Sequence, residues 1–99
     1  MTFEDHVERA LASLPPEIAA RLENVAVLVE DENADDPDLL GLFENHEYLP
    51  ATITIYRLPL AESFPDPAEL EREIRITVLH EVAHYFGIDE ERLDELGYG

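Results

Sequence analysis

The sequence has no cysteine and no lysine, and its one methionine is Met1. The first absence excludes disulfides, thiolate metal sites and cysteine nucleophiles, while leaving the compartment open. The second leaves six arginines against 24 Asp+Glu, a formal net charge of −18. A surface of that sign keeps a protein in solution and repels phosphate backbones and anionic headgroups, so neither nucleic acid nor a membrane is an expected partner. It also concentrates cations and cationic substrates. Long apolar runs are missing too. The longest, VAVLV at residues 25–29, falls far short of the roughly 20 residues that span a bilayer. The start, MTFEDHVERA, is acidic where a signal peptide is basic. The expectation is a soluble cytoplasmic protein.

What is present points to one domain over residues 1–99. The chain is 45% apolar, enough for a single modest core. Phe3, Val7, Leu11 and Leu14 form one stripe of a helix, with Thr2 and Asp5 as its capping box. Pro15 and Pro16 end that helix, and Pro16 can open another, PEIAARLEN. VAVLVE reads as a strand buried on both faces. DENADDPD reads as a solvated acidic loop; it lacks the residue order of a calcium loop. LLGLFENHEYLP suits a turn of helix or a strand, followed by loop. ATITIYRL alternates Thr52, Thr54 and Tyr56 with Ile53, Ile55 and Arg57, a strand whose flanking Pro50 and Pro59 suggest a sheet edge. Asp66, Pro67 and Glu69 start a helix that runs to Phe86 and stops at Gly87. Leu70, Ile74, Val78, Val82 and Phe86 form its apolar row, with Ile76, Leu79 and Ala83 as a second face. Asp89 then caps a short terminal helix, EERLDEL.

The chemistry concentrates in HEVAH. Two histidines four apart on a helix lie on one face, about 40° apart around the axis, and both can reach one zinc ion. His80 and His84 have that spacing, and Glu81 between them is placed to act on metal-associated water as a base without being a ligand. With four histidines in 99 residues, H-E-x-x-H is expected by chance about 0.02 times in such a chain. A hydrolytic zinc site needs a third protein ligand. Glu90 stands at the H-E-x-x-H-x-x-G-x-x position and is the favoured candidate. Asp89 is the alternative, though it is wanted as a helix cap.

HEVAHYFGIDEERLDELGYG, preceded by LLGLFEN, ITIYRLPL and AELEREIRITVL, resembles the small bacterial zincin-like metallopeptidase family, long catalogued as a domain of unknown function. The resemblance covers about residues 16–99. It implies an α+β minimal zincin, a small mixed sheet packed on helices, one of which carries HExxH. It further implies one Zn2+ ion and a peptide or protein substrate. His80, Glu81, His84 and Gly87 match the family pattern; position 90 is Glu where the pattern has Asp or His. The stretch over residues 44–53 is shorter than in many relatives, and with Met1 alone there is no Met-turn.

The remaining expectations concern substrate. The strand over residues 52–57, as an edge, would pair with an extended peptide. Tyr56, Tyr85, Tyr98, Arg57 and His46 are candidates to stabilise an oxyanion, and His6 reads as a surface residue. Two other classes fit the same residues: a metal-stabilised binding module without turnover, and an acidic interaction protein that needs no metal. A carboxylate-containing site also admits divalent ions other than zinc.

Overall fold

Helix α1, Phe3–Ala12, begins where its capping signals put it. Thr2 Oγ1 accepts from the Asp5 amide at 3.1 Å, and the Asp5 carboxylate accepts from the Thr2 amide at 3.0 Å. The backbone bond from Thr2, then the side-chain bond, holds the Asp5 carboxyl below its ordinary value. What the cap contributes is therefore complete above the unfolded-state pKa and is lost as pH falls through the folded one. Residues 2–87 and Glu91 are described in this computed structural model. Two prolines end α1, and Pro16 opens the six-residue α2, Pro16–Arg21.

A three-stranded mixed sheet follows. Strands β1 (Ala26–Glu30), β2 (Gly41–Glu44) and β3 (Thr52–Tyr56) lie in the order β1-β3-β2. β1 runs parallel to β3, with Val27 beside Ile53 and Val29 beside Ile55. β2 runs antiparallel to β3, with Gly41 beside Ile55 and Phe43 beside Ile53. Alternation along a strand puts all six of these residues on one face, the face that receives the long helix.

The register reverses two expectations. β3 is the central strand and not an edge, so it has no free side for a peptide; Ile53 through Tyr56 are all buried. Its flanking prolines lie outside the paired residues, where they remove no ladder bond. β1, conversely, is an edge strand among the described residues and is not buried on both faces. Val27 and Val29 turn half-buried toward the core, while Ala26, Leu28 and Glu30 are exposed.

The order also forces the acidic segment 31–40 to cross the end of β3 on its way from β1 to β2. It is exposed but pinned: the Leu58 amide donates to the Asp31 carbonyl at 2.9 Å, and Asn33 Nδ2 donates to the Tyr56 hydroxyl at 2.9 Å. Arg57 and Asp31 form an ion pair at 2.7 Å at the same place. Beyond β3 comes a helix that sequence patterning missed, α3, Arg57–Ser63. Pro59, read as a strand terminator, is its third residue, in the first turn where a missing N–H costs nothing. The turn into helix carries Leu60 into the core with no exposed surface.

The last described helix, α4, is Pro67–Tyr85, capped by Asp66 accepting from the Glu69 amide at 3.0 Å. Gly87 follows at φ +77°, the left-handed conformation that favours glycine after a helix. Ile74, Val78 and Val82 of its apolar row are buried with Ile53, Ile55, Leu60, Val7 and Ala10. The second row is thinner: Ala83 is buried, and Ile76 and Leu79 are half-buried. The Asp89 cap and, apart from Glu91, the expected terminal helix lie outside the described residues, none of whose helices is long and apolar enough to cross a membrane. Ile74→Ala removes a side chain from the centre of this core and is expected to cost about 2–5 kcal/mol in urea unfolding. Leu28→Ala, on the exposed edge, should cost less than about 1 kcal/mol.

Candidate metal centre

Helical geometry sorts the residues of α4. At about 100° per residue, Ile74, Val78 and Val82 form a stripe toward the core, and Glu73, His80 and His84 form a second stripe roughly 100° away from its nearer edge. Glu81 and Thr77 fall between the two. Their burial follows: Glu81 and Thr77 are 8% and 7% exposed, whereas His80 and His84 are half-buried. The imidazoles meet edge to face with centroids 4.7 Å apart.

One ligand atom from each of His80, Glu81 and His84 lies within 4.8 Å of the other two, and this is the one such group of metal-ligating residues among those described. With nitrogen–zinc bonds of about 2.0–2.1 Å, two imidazoles on one ion stand at most roughly 4 Å apart. Small side-chain rotations close that difference. Burial also penalises an ionised carboxylate, and a divalent cation beside it offsets the penalty. The donor set therefore fits zinc.

β2 comes unusually close to this part of the helix, because Gly41 has no side chain. A Cβ there would lie 2.9 Å from Thr77 Cγ2, 3.1 Å from Glu81 Cγ and 3.4 Å from Glu81 Oε2. Glycine at this position is thus a packing requirement: it lets the strand rest directly on the carboxylate that HEVAH places below it. The far end of the helix is held separately. Tyr85 donates to the Arg21 carbonyl at 3.3 Å and meets Phe43 edge-on, and the Arg21 guanidinium lies 4.6 Å over the Phe86 ring.

Two clefts open where β2 and α4 meet. One, of about 430 Å³, is bounded by Asp36, Asp38, Leu40, Glu73 and Ile76. The other, of about 410 Å³, is bounded by Leu42, Phe43 and His84. Leu39, Gly41, His80 and Glu81 line both.

The structure brings His80, Glu81 and His84 together as their spacing predicts. Glu90 and its rival Asp89 lie outside the described residues, as does Tyr98. The other oxyanion candidates do not line either cleft. Tyr56 is buried and bonded to Asn33, Arg57 is paired with Asp31, Tyr85 reaches Arg21, and His46 lies 3.1 Å from Thr52 Oγ1 on the surface. His6 is more enclosed than expected, its Nδ1 3.7 Å from the Glu71 carboxylate. Sequence reasoning missed Gly41, Thr77 and the acidic trio of the first cleft. A glycine between leucines, inside a segment that can be a strand, was the available signal for Gly41.

A helix bearing H-E-x-x-H, laid against a small mixed sheet and open to a cleft, defines a candidate metallohydrolase of α+β architecture. The sequence model of the zincin-like metallopeptidase family matches residues 22–99, and the chain belongs to that family. No curated protein matches it.

Gly41→Ala should destabilise the fold by about 1–3 kcal/mol through overpacking, measured by denaturant unfolding. Adding Thr77→Ser, which deletes the nearest clashing methyl, should recover part of that loss and leave the contact with Glu81.

Proposed function

We propose that this protein is a zinc-dependent peptidase in which His80 and His84 hold the ion, Glu90 completes the ligand set, and Glu81 is the general base. Glu90 enters on its spacing from the histidines. The observation that carries the reading is the buried Glu81 beside two half-buried imidazoles and under a glycine of β2, in a chain of the zincin-like metallopeptidase family. When bound in such a site, zinc acts as a Lewis acid and lowers the pKa of a coordinated water to about 7.

The chain's own residues supply the rest. Glu81 takes a proton from the attacking water as the new C–O bond forms at the substrate carbonyl. It then delivers that proton to the departing nitrogen as the C–N bond breaks, so one carboxylate serves both halves of the reaction. Burial limits its contact with bulk water, and the two clefts that it lines leave room for a substrate. The strand with a free side next to this site is β2: among the described residues it pairs only with β3. A substrate segment adding to that edge takes its backbone bonds from the strand and brings its carbonyl over His80, Glu81 and His84.

Glu81→Gln removes the base without changing the shape of the side chain. Assayed with zinc on a fluorogenic peptide library, it should lower turnover by about 10²–10⁴-fold and retain its metal. Wild-type turnover in that variant would exclude Glu81 from the role.

A further inference from the structure

The two clefts flanking Glu81 are of similar size but opposite character. The first carries three carboxylates besides Glu81, on Asp36, Asp38 and Glu73, and among the described residues no arginine lines it. Arg72 approaches Glu73 only at 4.0 Å, the outer limit of an ion pair, and stays largely exposed. Leu40 and Ile76 give this cleft apolar walls. The second, beyond the residues it shares with the first, is bounded by Leu42, Phe43 and His84.

Resting on the peptidase reading above, we propose that the first cleft is a specificity subsite for a lysine or arginine side chain of the substrate, and that the second receives an apolar side chain. The structure motivates each part. A long basic residue has a methylene stem that lies along Leu40 and Ile76, and a charged head that then reaches the carboxylates. Three acids around a concave apolar floor favour a cation more than the same acids dispersed in solvent, because the walls displace screening water. The position of Asp36 is fixed from within the loop: the Asn33 side chain accepts from the Asp36 amide at 2.9 Å, and Asp36 Oδ1 accepts from the Asp38 amide at 3.2 Å. Both clefts share Gly41, His80 and Glu81. A strand laid on β2 thus places two side chains of one face, at alternate positions of the peptide, on either side of the reacting bond, one in each cleft. Charge selection by Asp36, Asp38 and Glu73 accordingly needs no part of the catalytic machinery.

The test is equilibrium binding, read by fluorescence anisotropy on zinc-loaded Glu81→Gln protein, so that nothing is cleaved. The probes are end-blocked labelled hexapeptides identical except for one position, occupied by arginine, norleucine or glutamate and moved along the sequence. At one register, the arginine peptide should bind about tenfold more tightly than the norleucine peptide at low salt. That preference should shrink in 0.5 M salt, and it should vanish when Asp36→Asn, Asp38→Asn and Glu73→Gln are combined, without a matching loss of Tm. Equal binding of the arginine and norleucine peptides at every register would overturn the subsite, as would a preference that survives in the triple variant. Selective binding by a protein whose wild type hydrolyses none of these peptides would instead overturn the peptidase reading and leave the cation site standing. Wild-type hydrolysis without charge preference would do the reverse.

Discussion

One helix has to serve two masters in this small fold, and the rest of the architecture follows from how α4 does it. Its core stripe, Ile74, Val78 and Val82, anchors the sheet and α1; its second stripe, Glu73, His80 and His84, floors the clefts. Because 3.6 residues make a turn, the residue after His80 is carried back toward the core. Glu81 therefore sits at the seam, buried on one side and open to the clefts on the other. The same geometry that gives zinc-type spacing to the histidines gives the carboxylate its shelter.

That seam is only as good as the strand above it. Gly41 lets β2 approach to within a distance at which even a methyl group would collide with Thr77 and Glu81. β3, held between β1 and β2, fixes the height of β2 over the helix, and the 31–40 segment is pinned across the end of β3 by Asp31, Asn33 and their partners. The acidic loop is thus a structural strap as well as one bank of a cleft. A net charge of −18 reads differently once some of it is placed: Asp36, Asp38 and Glu73 stand at the site, whereas Glu8, Glu17 and Glu62 are solvated.

Local signals in the sequence were reliable where the physics is local. The capping box at Thr2, the Asp66 cap, the extent of α4 and the spacing of His80, Glu81 and His84 depend on residues within one or two turns, and all were legible. Strand order depends on contacts distant in sequence. Flanking prolines made β3 look like an edge, yet they sit just outside its ladder; the apolar run of β1 looked doubly buried, yet nothing among the described residues pairs beyond it. α3 was hidden because a proline in a first helical turn resembles a proline that ends a strand. Gly41 and the acids of the first cleft could not be assigned to the site from sequence, since their role comes from β2 and the 31–40 segment meeting α4 in space. Family resemblance, carried mainly by residues 80–98, was confirmed over residues 22–99; it supplied the class of chemistry and left the clefts to be read from the fold.

A working metal site at HEVAH, as opposed to two histidines sharing a helix, takes up zinc. Native mass spectrometry of the purified, untagged chain beside its His80→Ala/His84→Ala variant reads this out. Close to one zinc per wild-type chain and none in the variant, with both proteins folded, is the expected result. Wild-type protein that stays metal-free after incubation with zinc, or a variant that binds as much as the wild type, would contradict it.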